Sequence, residues 1–317
     1  MQPMGFGEIL DRTFQIYRRN FSKVFLLMLV LIAPVYLLQN LLTTMFGAPM
    51  VPDYQQIGSF EDYLTTMEAA PVAEPTMGIG GIIASLLVAF VVVPILYVVL
   101  YPLAASSTLY MVESGLKNQD ISFGQMLKKP FRKFWLIVAN SLLFAVIIFG
   151  ISIGVIIVIA MTTLFGVGFS VGFENVVVGI LAGIMIIGMV LLSIFIYGFF
   201  SLRCGFFLPP ILFENKGVGI DRSWKLTKKN FWRLFGILLL IFIIYIVLTE
   251  GATLIFGFFL GASVLGQVLQ TIVIMLTMPI LFIIYALIYF DLVTRKEGVD
   301  LEHMLDDTDE GNPGDHV

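Results

Sequence analysis

The stretch "DRTFQIYRRNFSKVF" occupies residues 11–25, and "DRSWKLTKKNFWRLF" occupies residues 221–235. The two align without a gap, share five identical residues and keep their chemical character at most other positions. In each copy, a segment rich in basic and aromatic residues leads into a long apolar run. Self-similarity of this kind is typical of a chain that uses one structural unit more than once.

A third and weaker copy, "SFGQMLKKPFRKF" at 122–134, matches "GFGEILDRTFQIY" at 5–17. In the first copy, apolar residues recur at the helical spacing i, i+3, i+4 and i+7, and charged residues fill the other face. This pattern is typical of a helix that lies in the membrane interface with its aromatic side chains toward the acyl chains. We therefore expect three parallel repeats, near 5–116, 117–216 and 217–300, each an in-plane amphipathic helix followed by two spans.

The composition is that of a membrane protein. Hydrophobic residues make up 59% of the 317 residues and charged residues 13%, whereas about a quarter of a soluble domain is charged. A spanning helix needs about 20 apolar residues, and the charge-free runs reach or approach that length. The sequence predicts an all-α protein with six transmembrane helices, at roughly 23–45, 78–101, 134–160, 176–200, 234–256 and 267–291.

The distribution of positive charge predicts the topology. All eighteen Lys and Arg fall in four segments, 12–23, 117–133, 203–233 and 295–296. Because basic residues collect on the cytoplasmic side, each apolar interval between these segments must leave that side and return. Both termini are therefore expected in the cytoplasm. We expect a single membrane domain over 1–302 and a disordered acidic tail over 303–317.

Residues 46–77 form the one sizeable polar segment between predicted spans, with five acids and no bases. Ser59 followed by Asp62 is a capping-box pattern, which predicts a short surface helix at 60–69. The composition favours a solubilising outer loop. The alternative is an acidic mouth that concentrates cations by its field.

The basic residues of the repeated segments are candidates for contact with anionic headgroups at the inner leaflet, where each is attracted by about 1 kcal/mol. The alternative is that they serve only to set the topology. The candidates are Arg12, Arg18, Arg19, Lys23, Lys128, Lys129, Arg132, Lys133, Arg222, Lys228, Lys229 and Arg233.

Few polar groups interrupt the spans. Glu250 and Asn140 are candidates for an intramembrane polar site, because such groups in a bilayer often serve a function. The alternatives are a helix end that meets water and interhelical hydrogen bonding, which is also expected of Gln39, Asn40, Ser141, Gln267 and Gln270. Arg203 and Asp291, at the cytoplasmic ends of two spans, are expected to pair between repeats.

The chemistry of a conventional enzyme is not expected. The single cysteine excludes an intrachain disulfide, and both histidines lie in the polar tail. We expect no catalytic residue, no metal site and no cofactor. The sequence favours a non-enzymatic accessory or membrane-organising protein, with membrane lipids, anionic headgroups and another membrane protein as partners and no nucleic acid. The alternative is a transporter or channel for a lipid-derived or small solute.

Two segments, "SWKLTKKNFWRLFGILLL" at 223–240 and "YFDLVTRKEGVDLE" at 289–302, resemble a bacterial and archaeal family. It is the glycerophosphoryl diester phosphodiesterase membrane domain family, and the resemblance covers the chain from Gly5 to about Glu302. It implies a multi-pass membrane domain in a prokaryotic plasma membrane. The phosphodiesterase barrel fused to some members has no counterpart in this sequence, so the resemblance implies no phosphodiesterase activity here.

Overall fold

Every element that the structure describes is helical. The computed structural model describes residues 4–45, 50, 79–172, 176–215, 217–228, 230–261 and 263–310. The helices are α1 (Phe6–Arg19), α2 (Phe21–Leu31), α3 (Ala33–Met45), α4 (Ile79–Leu87), α5 (Val93–Leu116), α6 (Phe123–Phe131), α7 (Phe134–Gly172), α8 (Val176–Gly205), α9 (Leu208–Phe213), α10 (Gly219–Thr227), α11 (Phe231–Leu260) and α12 (Val264–Glu310). A π-helical turn, Val88–Val92, joins α4 to α5.

Helix lengths match a multi-pass membrane protein. Among the described residues, five helical stretches are long and apolar enough to cross a membrane, and six are if α2 and α3 form one span. Large apolar side chains lie on their outer surface, including Trp135 at 81% and Phe90 at 76% exposure. Such a surface suits lipid rather than water. The chain is therefore an all-α protein with the spans expected of a multi-pass membrane protein.

The region predicted as the first span, roughly 23–45, consists of two helices with a bend between them. Helices α2 and α3 meet at Ile32 and are bent by 46°. Pro34, in the first turn of α3, has no backbone N–H to continue the hydrogen-bond ladder of α2. The bend redirects the second half of the span, which carries Gln39 and Asn40.

The acidic tail also differs from the expectation of disorder from residue 303 onward. Helix α12 continues to Glu310. Neither glycine nor proline occurs between Val299 and Glu310, whereas Gly311 follows directly. Glycine is common just after a helix, so the sequence itself contains the stop signal. Residues 311–317 lie outside the described part of the chain.

The chain divides into two compact units. The first comprises Met1–Ile137 together with Ile237–Val317, and the second comprises Val138–Gly236. The three repeats and the single domain over 1–302 stay predictions. Apart from Met50, the loop at 46–77, with its predicted helix, lies outside the described residues.

Within the first unit, α1 packs along α12. The Met4 backbone N–H donates to Asp291 Oδ1 at 2.7 Å, and the Tyr17 hydroxyl donates to the Leu276 carbonyl at 3.0 Å. These acceptors are fifteen residues apart on α12, about 22 Å at 1.5 Å per residue. Helix α1 therefore runs antiparallel to α12. A helix that lay in the plane of the membrane would instead cross the axis of a membrane-spanning helix at a large angle.

This packing covers part of the apolar stripe of α1, and the in-plane helix with its aromatic side chains toward lipid stays a prediction. Ile9 and Thr13, on the side of α1 that contacts α12, are 1% and 0% exposed. Phe6 and Phe14 remain 38% and 52% exposed. Part of the stripe is therefore covered by protein. The apolar surface of a membrane-spanning helix can cover these side chains as acyl chains would.

Candidate functional site

A cluster of cations, all exposed except the half-buried Lys23, lies at the junction of α1 and α2 and at the C-terminal end of the neighbouring α6, all in the first unit. Helix α2 contacts α6, and Arg19 Nη2 lies 3.4 Å from the position that a Cβ on Gly115 would take, near the end of α5. We call this cluster the basic surface. It comprises Arg18, Arg19, Lys23, Lys128, Lys129 and Arg132.

Within the described part of the chain, no salt bridge neutralises a charge of the basic surface. Among the described residues, the salt bridges of the first unit join Arg12 to Glu8, Lys117 to Glu113 and Arg295 to Asp291. None involves a member of the basic surface. Lys129 instead lies over the ring of Tyr110, with Nζ 5.3 Å from the centroid.

The remaining candidates for headgroup contact have varied surroundings. Arg12 and Arg222 form salt bridges with Glu8 and Glu214 at 2.7 and 2.9 Å. Burial lowers the pKa of the Lys133 amine. Lys228, in the second unit, is exposed. Arg233 belongs to α11, and Lys229 lies outside the described residues.

Asn140, predicted as an intramembrane polar site, binds the loop that leads into α10. Its Nδ2 donates to the Gly217 carbonyl at 3.0 Å, and its Oδ1 accepts from the Gly219 N–H at 3.1 Å. Asn140 is 4% exposed. Both ends of the amide are therefore hydrogen-bonded to the backbone. We call this arrangement, in which Asn140 on α7 fixes the loop at Gly217 and Gly219, the Asn140 clamp of the second unit.

We expect Asn140→Leu to lower the free energy of unfolding by about 2 kcal/mol, because it leaves a buried N–H and a carbonyl without this partner. The measurement is denaturation of the purified protein in detergent, followed by far-ultraviolet circular dichroism. Gln119→Leu is the control, since Gln119 is exposed. Equal stability of the two variants would contradict the clamp.

Arg203 lies in an aromatic cluster of the second unit. Its guanidinium carbon is 5.3, 5.2 and 5.6 Å from the ring centroids of Phe199, Trp224 and Phe231. Asp291, its predicted partner, belongs to the first unit, so their pairing stays a prediction. Within its own unit, Asp291 is 2% exposed and accepts from Arg295 Nε at 3.0 Å.

A cavity of about 490 Å³ with both polar and apolar lining residues lies in the first unit, between α3, the start of α5 and the start of α12. The sequence predicts that the amide side chains in its lining join helices by hydrogen bonds. The sequence feature that indicates a cavity is the grouping of these amides near the ends of two predicted spans. Glu250 does not line it and is exposed on α11. The polar lining consists of Tyr36, Gln39, Asn40, Thr43, Gln267, Gln270 and Thr271.

Several of these side chains do join helices. The Tyr97 hydroxyl donates to Gln39 Oε1 at 3.0 Å, the Thr43 hydroxyl donates to Gln267 Oε1 at 2.8 Å, and Gln270 Nε2 donates to Thr253 Oγ1. Asn40 differs. Its Nδ2 is buried and has no hydrogen-bond partner among the described residues, which costs about 1–3 kcal/mol.

Acidic residues, histidine and cysteine form no group of three that could hold a metal ion in the described part of the chain. No protein-family model matches the sequence, and no curated protein or solved structure is similar to it at a significant level. The resemblance to the glycerophosphoryl diester phosphodiesterase membrane domain family therefore stays a prediction.

Proposed function

We propose that the chain is a non-enzymatic accessory or membrane-organising protein that contacts anionic lipid headgroups at the inner leaflet of a prokaryotic plasma membrane. The observation that carries this proposal is the basic surface, whose cations have no acidic partner among the described residues. A second membrane protein is the partner that such an accessory role would require.

Electrostatics supports the choice of partner. A phosphate-bearing leaflet attracts each nearby Lys or Arg by about 1 kcal/mol, and basic segments of membrane proteins collect on the cytoplasmic side. The exposed ring of Phe14, one helical turn before Arg18 on α1, provides an apolar contact close to this charge. Together these features suit the boundary between headgroups and acyl chains.

The test compares lipid retention by the wild type with that of a triple variant, Arg18→Gln, Arg19→Gln and Lys128→Gln. Each protein is reconstituted into nanodiscs of phosphatidylcholine and phosphatidylglycerol at about 4:1, and native mass spectrometry counts the retained lipids. We expect the enrichment of phosphatidylglycerol to fall at least about fivefold, because roughly 3 kcal/mol of attraction is removed. Added salt should weaken the wild-type enrichment.

The control removes a cation together with its own acid, as Lys225→Gln with Asp221→Asn, which form an exposed salt bridge in the second unit. We expect this variant to retain phosphatidylglycerol as the wild type does. Equal enrichment in the triple variant and the wild type would overturn the proposal.

The alternative function is movement of a lipid-derived or small solute, and the cavity favours it. Amides and hydroxyls facing a common space in otherwise apolar spans are typical of a solute path. Occupancy of the cavity is the first requirement of this alternative.

A further inference from the structure

Arg203 is a cation for which the second unit supplies no counter-charge. That unit carries seven Lys and Arg but three acids. Two of the acids already form salt bridges, of 2.9 and 2.8 Å, which join Glu214 to Arg222 and Asp221 to Lys225. The third acid, Glu174, comes before α8, whereas Arg203 lies near the far end of that helix, which has 30 residues and is about 45 Å long. Within the second unit, Arg203 therefore has no acid to pair with.

The end of α8 holds the Arg203 side chain in a defined position. Three aromatic rings surround the guanidinium, each with its centroid between 5.2 and 5.6 Å from the central carbon. The Ser223 hydroxyl donates to the Arg203 carbonyl at 2.7 Å and accepts from the Phe206 N–H at 3.1 Å, which fixes the end of α8 to α10. A side chain that is already ordered loses little conformational entropy when it binds a ligand.

Most hydrogen-bond donors of this guanidinium are not used by the described protein. Nη1 donates to the Trp224 carbonyl at the long distance of 3.4 Å, and this bond is exposed. No other acceptor for the side chain lies among the described residues, and Nε is enclosed by its surroundings. The two Nη groups are therefore the donors that a ligand can reach. Their planar fork matches two oxygens of a phosphate or a carboxylate.

The position of Arg203 in the chain favours an anion that belongs to the membrane. Residues 175–202 carry no charge, so Arg203 is the first charge after a long apolar run, within the stretch from Gly183 to Phe213 that is apolar enough to cross. The rings of Trp224 and Trp232 in the same unit are 38% and 72% exposed. Tryptophan collects at the boundary between acyl chains and headgroups, which is the depth of lipid phosphates.

We propose that the Nη groups of Arg203 bind the phosphate of an anionic membrane lipid at a discrete site in the second unit. Aromatic rings attract a cation but carry no net negative charge, and a half-buried ion without a counter-charge is costly. A phosphate supplies both the charge and the acceptors. Lys228, exposed and one helical turn after Trp224, adds positive charge nearby. The inference rests on the proposed contact with anionic lipid and names a second site for it.

The test uses phosphatidylglycerol with a photoreactive diazirine in its headgroup, added to the full chain in phosphatidylcholine nanodiscs. Mass spectrometry maps the labelled peptides. We expect labels at residues 199–206 or 221–228, and Arg203→Gln should reduce them at least about fivefold, because the loss of one charge contact costs about 1 kcal/mol or more. The control, Lys225→Gln with Asp221→Asn, removes a nearby exposed pair without a change of net charge and should leave the labelling unchanged.

A second variant separates binding from folding. Arg203→Lys keeps the positive charge and the apolar stem among the rings, so Tm in phosphatidylcholine nanodiscs should stay within about 4 °C of the wild type. A lysine ammonium lacks the planar fork, so labelling should still fall at least about twofold. Wild-type labelling in either variant would overturn the proposal and leave Arg203 with a structural role only.

A competition arm separates a lipid from free phosphate. At constant ionic strength, inorganic phosphate should reduce the labelling no more than sodium chloride does. Stronger displacement by inorganic phosphate would assign the site to a soluble anion and would overturn the proposal.

The triple variant of the basic surface shows which of the two proposals fails. Because its changes lie in the first unit, it should leave labelling at residues 199–206 or 221–228 unchanged while it lowers the count of retained phosphatidylglycerol. Normal retention in the triple variant together with labelling that depends on Arg203 would overturn the basic surface alone. Labelling independent of Arg203 would overturn the Arg203 site alone.

Discussion

Replacing Gly219 with alanine is expected to lower the free energy of unfolding of the second unit by at least about 3 kcal/mol. An added Cβ would stand 2.0 Å from the Phe207 carbonyl oxygen and 2.8 Å from its carbon. Both atoms belong to the backbone, so no side-chain rotation can relieve the clash. Separation of α10 from α9 would also break the bond between Gly219 N–H and Asn140 Oδ1.

The matched control is Gly217→Ala, two residues earlier in the same loop, where an added Cβ would meet nothing within 4 Å. We expect its stability to stay within about 0.5 kcal/mol of the wild type. The measurement is denaturation in mixed micelles followed by tryptophan fluorescence, since Trp224 and Trp232 both lie in this unit. Similar losses for the two variants would refute the close approach of Gly219 to Phe207.

Replacing Asp291 with leucine should lower the free energy of unfolding of the first unit by about 3 kcal/mol, because the Met4 N–H and Arg295 both lose the buried carboxylate that accepts from them. Asp291 is 2% exposed and accepts from the Met4 N–H and from Arg295 Nε. Arg295 Nη2 in turn donates to the Met4 carbonyl at 3.0 Å. The change therefore also releases the residues that precede α1.

A double-mutant cycle tests whether Asp291 and Arg295 act together. We expect the loss for the double variant, Asp291→Leu with Arg295→Met, to be smaller than the sum of the single losses by about 2 kcal/mol. Lys117→Met is the control, since the Lys117 side chain is 58% exposed in its salt bridge, and such pairs contribute at most about 1 kcal/mol. Additive single losses would mean that the pair is not coupled.

The approximate positions of the spans could be predicted from hydropathy, because a membrane-spanning segment must be apolar in any arrangement of the helices. Each span must be apolar whatever its neighbours are. The span predicted from 134 does begin at Phe134, whereas the span predicted from 176 lies in a helix that begins at Val176 and is apolar enough to cross from Gly183. Pro34 indicates either a broken helix or a simple kink, and the sequence alone does not separate the two, whereas the structure shows a bend at Ile32.

Tertiary partners could not be predicted. An apolar stripe has the same appearance whether lipid or protein covers it, so the burial of Ile9 and Thr13 against α12 was missed. The same limit applies to amides in spans. Asn140 meets a loop 77 residues away in sequence, whereas Asn40 faces a cavity, and the residue type alone does not separate these outcomes.

The length of α12 links the two ends of the first unit. Thr271 lines the cavity, and Asp291 holds the segment that precedes α1, twenty residues further along one continuous helix. That distance is about 30 Å, so a 5° tilt of α12 about the cavity would displace Asp291 by about 2.6 Å. Such a tilt would therefore shift the N-terminal segment that Asp291 holds.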